Sequence, residues 1–216
     1  SILTGHYGTG KTEVSVNLAL ALAAEGEQVM LADLDIVNPY FRSRERRPLL
    51  EKAGVRVISS SQACSDADVP ALPAELLTIL ENREIRGILD IGGDPVGARV
   101  LARFQPKIVQ EDYQLIFVLN ANRPEVRDAE SAAAYLRSIE AVTGLTCSGL
   151  VNNTHLCGET TPAEIRKGVA LAQEVSRQTG IPILCHTAER RFLESLSDLG
   201  EPVFPIAINM KKPWER

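Results

Sequence analysis

The chain has 216 residues, 44% of them apolar and 24% charged, a length and composition that fit one globular domain with a full hydrophobic core and exclude a disulfide-dependent miniature fold. Its 23 basic and 28 acidic residues leave a net charge of −5, which gives no electrostatic case for binding nucleic acid or an anionic membrane. Cys64, Cys147, Cys157 and Cys185 form no CxxC pair, no apolar run reaches the roughly 18 residues that cross a bilayer, and no signal peptide opens the chain, so a reducing, cytoplasmic setting is expected.

Apolar runs and their breakers predict strands and helices in alternation. The first strand, 1–4, stands directly before a glycine-rich loop, and further residues of that strand are expected ahead of Ser1. A helix at Lys11–Ala24 follows, stopped by Gly26, then strands at 28–33 and 55–59. The Ser-, Asp- and Pro-rich stretch 59–73 reads as a surface connection into a helix at 71–83. A strand at 87–90 leads to a helix at 97–104, and a strand at 114–120 to a long helix at 124–142 with Gly144 just past its end. After a strand at Cys147–Asn152, Thr161-Pro162-Ala163-Glu164 is a capping box that opens a helix reaching Thr179 and stopping at Gly180. A strand at 181–186, a helix at 188–199 and a short strand at Val203–Ile206 complete the chain. Most of the strands are continuous apolar runs, as expected of strands covered on both faces. The predicted class is α/β: three layers, with a mostly parallel sheet of seven or eight strands flanked by helices, in a single domain over 1–216. In such sheets ligands sit beyond the carboxyl ends of the strands.

Gly5-His6-Tyr7-Gly8-Thr9-Gly10-Lys11-Thr12 matches G-x-x-x-x-G-K-[ST] between a predicted strand and a predicted helix, the context a Walker A phosphate loop requires. At average residue usage the pattern arises by chance in about 1% of chains of this length, so a phosphate loop is the better reading. Glycines let consecutive backbone N–H groups turn inward on a polyphosphate, and the helix that follows adds its positive end. Lys11 is expected at the β- and γ-phosphates and the Thr12 hydroxyl at Mg²⁺. The loop needs a strand-end carboxylate to hold the metal. Asp33 and Asp35 end the second strand, and Asp90 ends the fourth in the sequence Asp90-Ile91-Gly92-Gly93-Asp94. Asp90 has the Walker B position, and the Gly93 N–H stands where it would sense a γ-phosphate. Ordinary strand-end turns and caps are the competing explanation for Asp33, Asp35 and Asp94.

These motifs together resemble the MinD/ParA family of P-loop ATPases, whose relatives include the nitrogenase iron protein and the Mrp-type iron–sulfur carriers. Gly5–Thr12 is similar to that family's deviant Walker A, and Asp33 with Asp35 to its Asp-x-Asp strand end. The resemblance implies that Asp35, in the first switch, helps hold the metal shell and orient the attacking water, with Asp94 as the other candidate for the water. Asp90 to Asp94 is similar to the iron protein's second switch, and Pro124-Glu125-Val126-Arg127-Asp128 resembles the MinD-type strand-to-helix segment. Val151-Asn152-Asn153 resembles the strand end whose asparagine reads adenine, and 181–189 the base-contacting loop, which puts Asn152, Asn153, Thr187 and Glu189 at the nucleotide. ATP is favoured over GTP, because no N-K-x-D motif occurs. The resemblance breaks at His6, where the family carries the lysine that reaches across a nucleotide-sandwiched dimer. Histidine is shorter and carries little charge at neutral pH, so a phosphate-facing donor and a loop residue without catalytic duty both stand as readings.

Around the switch, Asn38 to Arg47 would suit a protein partner whose docking depends on nucleotide state, or is a solvated basic face. His155, Cys157, Cys185 and His186 fall near strand ends that a metal site would use, although buried cysteine and satisfied histidine are commoner. The tail from Met210 to Arg216 is too short and too broken by Pro213 for a membrane anchor. The expected function is a slow Mg-ATP-dependent switch for an unidentified partner or cargo, with nucleotide-dependent homodimerisation open. The alternatives are a small-molecule kinase or ligase of the same superfamily, similar to dethiobiotin synthetase, and a nucleotide-binding regulator that does not hydrolyse.

Overall fold

Residues 1–35, 43–59 and 75–210 are described by the computed structural model of the chain, the side chains of Arg44, Ser59 and Glu75 excepted. Within them lie eight strands: β1 (Ile2–Thr4), β2 (Gln28–Leu34), β3 (Arg56–Ser59), β4 (Ile85–Ile91), β5 (Leu115–Leu119), β6 (Cys147–Asn152), β7 (Ile183–Glu189) and β8 (Val203–Ile206). They form one sheet in the order β3-β2-β4-β1-β5-β6-β7-β8, and every pairing is parallel. The strands are apolar without alternation because both faces are covered. Along β2, Val29 and Leu31 enter one core while Met30, Ala32 and Leu34 enter the other. Along β5, Ile116 and Val118 oppose Leu115, Phe117 and Leu119 in the same way.

Helix α1 (Lys11–Ala24) and the short α2 (Arg47–Lys52) cover the first face, through Val14, Val16, Ala19 and Leu50. The second face is covered by α3 (Glu75–Glu81), α4 (Pro95–Ala98), α5 (Gln105–Ile108), α6 (Ala129–Thr143) and α7 (Pro162–Thr179). On α6 the spacing Ala129, Ala132, Leu136, Ile139 gives the buried stripe, and on α7 Leu171, Ala172 and Val175 do the same. The chain leaves β1 toward one side to build β2 to β4 and toward the other to build β5 to β8. The reversal puts the loop after β1 at the sheet's switch point, where a ligand crevice opens.

Three predicted helices are corrected by local chemistry. The helix at 97–104 is instead α4, a 3-10 stretch at Arg99–Arg103 and α5, because Pro106 near the start of α5 cannot continue a preceding helix. The helix at 124–142 starts five residues late: Asp128 adopts an extended conformation and caps α6 by accepting from the Ser131 amide at 2.8 Å, leaving Pro124–Val126 as a separate 3-10 turn. No helix forms at 188–199. Ala188 and Glu189 pair with Pro205 and Ile206 of β8, and two 3-10 turns follow, at Arg190–Phe192 and Glu194–Leu196. The surface connection, the first residues of the helix at 71–83, Cys64, residues 36–42 of the switch region and the tail beyond Met210 lie outside the described residues.

Candidate functional site

Gly5 leaves β1 against the carbonyl of Val118, and the loop then curls around one oxygen. The His6 carbonyl accepts from the Thr9 amide at 3.2 Å, from Thr9 Oγ1 at 2.9 Å and from Lys11 Nζ at 3.4 Å. No side chain caps the amino end of α1, whose first amides therefore remain available to an anion. Gly10 precedes that end with φ of 83°, and a Cβ there would lie 2.2 Å from Asn153 Nδ2 and 3.1 Å from His155 Nε2, so both the conformation and the space demand glycine.

Three aspartates gather at the ends of β2 and β4. Asp33 and Asp90 lie in register on β2 and β4, and Asp35 follows β2, with its Oδ1 3.4 Å from where a Cβ on Gly92 would be. Lys11 is buried, which lowers the pKa of its ammonium, and Asp90, Asp35 and Asp94 act against that shift. Asp90 is pushed up to about 7, chiefly by burial and next by Asp33, with Lys11 and Thr12 opposing. Among the described residues neither of its buried carboxylate oxygens has a hydrogen-bond partner, and the Thr12 hydroxyl stands near them outside bonding geometry. Two orphaned, buried carboxylate oxygens beside a hydroxyl form the hard-oxygen donor set that fits Mg²⁺. Among the described residues no three His, Cys, Asp or Glu side chains gather into a metal cage. An ion here would depend on water and phosphate oxygens for its remaining ligands.

The loop after β4 lies directly over the phosphate loop. A Cβ on Gly93 would be 2.8 Å from Lys11 Nζ and 3.0 Å from the Tyr7 nitrogen, so only glycine allows this approach. Asp94 has both oxygens engaged: Oδ1 accepts from the Gly97 amide at 2.6 Å, capping α4, and Oδ2 accepts from the Tyr7 hydroxyl.

The predicted base-contacting residues are brought to the same edge, but their polar groups have protein partners. Asn153 Nδ2 donates to the Thr9 carbonyl at 2.7 Å and its Oδ1 accepts from Thr187 at 2.5 Å, pinning the phosphate loop to β6 and β7. Asn152 turns the other way: its Nδ2 reaches the Ile165 carbonyl of α7 and His186 Nδ1, both at 3.3 Å. Glu189 accepts from Arg191 at 2.6 Å and lines, with Asn153, His155 and Thr187, a small hollow at the ends of β6 to β8. His155 and His186 enter different networks. The Cys157 amide donates to His155 Nδ1 at 3.3 Å, while His186 Nε2 lies 3.4 Å from Glu201. Burial, then Arg123, depresses the His155 pKa to about 4. Cys147 and Cys185 are both pushed up to about 11 by burial, which marks them as inert packing thiols.

Sequence reasoning missed the loop after β5. Arg123 Nε donates to the Gly8 carbonyl at 2.7 Å and Asn120 Nδ2 reaches the same oxygen at 3.4 Å. Glu125 Oε2 lies 3.7 Å from His6 Nδ1, and Tyr135 of α6 donates to the Gly93 carbonyl. Asn120 and Arg123 follow an apolar strand, a signal that was readable. Tyr135 sits within an ordinary amphipathic helix and gave none.

Residues 1–203 match the model of the CobQ/CobB/MinD/ParA nucleotide binding domain. The cytosolic Fe-S cluster assembly factor cfd1 of Emericella nidulans is 37% identical over 93 residues, which cover 43% of this chain and 26% of that protein. FtsY of Thermotoga maritima superposes with a TM-score of 0.59 at 22% identity, over 87% of this chain and 60% of that one. FtsY of Elizabethkingia anophelis, in complex with GDP, gives 0.56 at 18%, over 86% of this chain and 56% of that one. These structural likenesses support the parallel α/β fold, and the chain spans about a quarter of the curated relative and little more than half of the two receptors. The family model, by contrast, runs from before the phosphate loop to the start of β8, and the chain belongs to the CobQ/CobB/MinD/ParA nucleotide-binding domain family.

Proposed function

We propose that this protein binds Mg-ATP and hydrolyses it slowly, as a switch whose state is read by a protein partner at residues 35–47. One observation carries the reading: the orphaned carboxylate of Asp90 faces Thr12 and Lys11 at the mouth of a phosphate loop that is otherwise held by hydrogen bonds. A burial that unfavourable has its natural relief in a cation held with a polyphosphate. Loop amides and Lys11 would bind the β- and γ-phosphates, and Thr12, Asp90 and Asp35 would hold the metal shell. Bound Mg²⁺ would offset charge on the phosphoryl group in transfer. Asp35 or Asp94 would orient the attacking water, the oxygens of Asp94 accepting from the Gly97 amide and the Tyr7 hydroxyl. Gly93, over Lys11, would transmit γ-phosphate loss to the loop after β4.

ATP rather than GTP is supported by the absence of N-K-x-D, and a cytoplasmic setting by the cytosolic relative. Among the described residues no helix is long and apolar enough to cross a membrane. A non-hydrolysing regulator is the second reading. It is favoured by the engagement of His6 within its own chain, with Tyr135 and Glu125, at the position of the family's dimer-bridging lysine.

Hydrolysis of ATP and GTP by the purified protein, beside Lys11→Ala, tests the proposal. The wild type is expected to prefer ATP, and the variant to lose at least about a hundredfold in turnover through loss of charge stabilisation at the phosphates. Tight ATP binding with equal background turnover in both proteins would select the regulator. Sizing with and without a non-hydrolysable ATP decides the nucleotide-dependent dimer, which a monomer mass under both conditions would exclude.

A further inference from the structure

Of the two residues that follow Gly5 in the phosphate loop, Tyr7 bonds the loop after β4 directly and His6 meets Tyr135, which bonds the same loop. Tyr7 donates to Asp94 Oδ2, and the Gly93 carbonyl accepts from Tyr135. His6 stands edge-on to the Tyr135 ring, with centroids 5.0 Å apart and planes at 68°. On its other side that ring lies 6.3 Å from the ring of the fully buried Phe117. The Gly93–Asp94 segment is thus tied by one phenol hydroxyl from the phosphate loop and another from α6.

Backbone packing of Gly92 on Gly97 and the Ala98 amide bond to the Asp94 carbonyl at 2.9 Å are its further attachments among the described residues. Gly92 and Gly93 have no side chains to pack, and Val96 is 67% exposed. The side-chain hydrogen bonds that hold it beside Lys11 are those of the two tyrosine hydroxyls and the cap that Asp94 makes on α4. Both hydroxyls are protonated at neutral pH as any phenol is, and burial, the main cause in each, raises Tyr7 further above the usual phenol range and Tyr135 to about 12. A packing role alone would need only the rings, because phenylalanine fills the same space. The hydroxyls add fixed orientation, and orientation set before the reaction is what a hydrogen-bond donor to a developing charge requires.

We propose that Tyr7 and Tyr135 are positioning residues that hold the Gly93–Asp94 segment against Lys11, so that the Gly93 N–H is presented to the γ-phosphate without reorganisation. This rests on the nucleotide-switch reading above.

The test compares wild type, Tyr7→Phe, Tyr135→Phe and the double variant. Measured are kcat and KM for ATP, ADP affinity, thermal stability, and the ratio of affinities for a non-hydrolysable ATP analogue and ADP. Each single variant is expected to lose about tenfold in kcat, the worth of one hydrogen bond at the transition state. ADP affinity should stay within about twofold, because ADP lacks the group that Gly93 would contact. The analogue-to-ADP ratio should fall. Unchanged kcat and ratio in both variants, with an active wild type, would overturn the proposal. So would a parallel loss of kcat, ADP affinity and thermal stability, the mark of a structural role. An inactive wild type refutes hydrolysis instead, and the affinity ratio then decides the tyrosines alone: a fall upholds them and no change removes them.

Discussion

Asp90→Asn is expected to reduce turnover by at least about a hundredfold and, in the nucleotide-free protein, to raise stability by more at pH 8 than at pH 5. Asparagine keeps the shape of the side chain and removes its charge, so loss of activity and gain in stability have one cause. In the folded chain Asp90 titrates at about 7, against 3.8 for an unperturbed aspartate. Between those two values the folded state keeps a proton that the unfolded state has released. Stability therefore falls as pH rises through that window, and above it the whole penalty is present. At about 1.4 kcal/mol per unit the penalty is roughly 4 kcal/mol at pH 8 and roughly 2 kcal/mol at pH 5, which lies inside the window, and it vanishes only below the unfolded value. Urea unfolding of both proteins at the two pH values, free of Mg²⁺ and nucleotide, reads the effect. Equal differences at pH 5 and pH 8 would mean that the carboxylate is not strained. The same linkage predicts that Mg-nucleotide binds more tightly as pH rises through about 7, since the metal takes the ionised form.

The parts of this site legible in the sequence are those whose chemistry is local. Gly5 to Thr12 bring backbone amides, a lysine and a hydroxyl within eight consecutive residues, so the phosphate loop needs no tertiary information. Asp33, Asp35 and Asp90 follow apolar runs, and a parallel sheet then has to bring them to the same edge. The strands were readable for the same reason, since burial on both faces writes them as unbroken apolar runs. Long-range side-chain partners decided the rest. Asn152 and Asn153 are adjacent and chemically alike, yet the pleat turns one toward α7 and the other toward the phosphate loop. The helix read at 188–199 lost to pairing with β8, where the partners of Ala188 and Glu189 lie 17 residues downstream. His6 was the departure from the resembled family, and its ring contact with Tyr135 has no trace in spacing or composition.

Gly168→Ala should destabilise the protein although it improves a helix. The residue lies within α7, where alanine is favoured over glycine by about 1 kcal/mol. Against that gain, its Cβ would come 2.1 Å from Asn152 Oδ1, 2.1 Å from Thr154 Oγ1 and 2.5 Å from Thr154 Cβ. Neither neighbour is free to move aside. Asn152 Oδ1 accepts from the Thr154 amide at 3.0 Å, its Nδ2 is held by Ile165 and His186, and Thr154 Oγ1 accepts from the Ala121 amide at 2.9 Å. Relief requires α7 to lift from β6 or this buried network to break, at a cost of about 2–4 kcal/mol, so that the net loss is about 1–3 kcal/mol. The damage should reach the nucleotide as well. Asn153 stands between the two displaced residues, and its amide fixes the Thr9 carbonyl at 2.7 Å. Gly158→Ala is the matched control, because nothing lies within 4 Å of a Cβ there. Thermal unfolding and nucleotide titration of the two variants should separate them, with Gly168→Ala losing stability and affinity together and Gly158→Ala losing neither. A Gly168→Ala protein as stable as the wild type would mean that helix propensity outweighs the contact, and that α7 does not press on the strand end which anchors the phosphate loop.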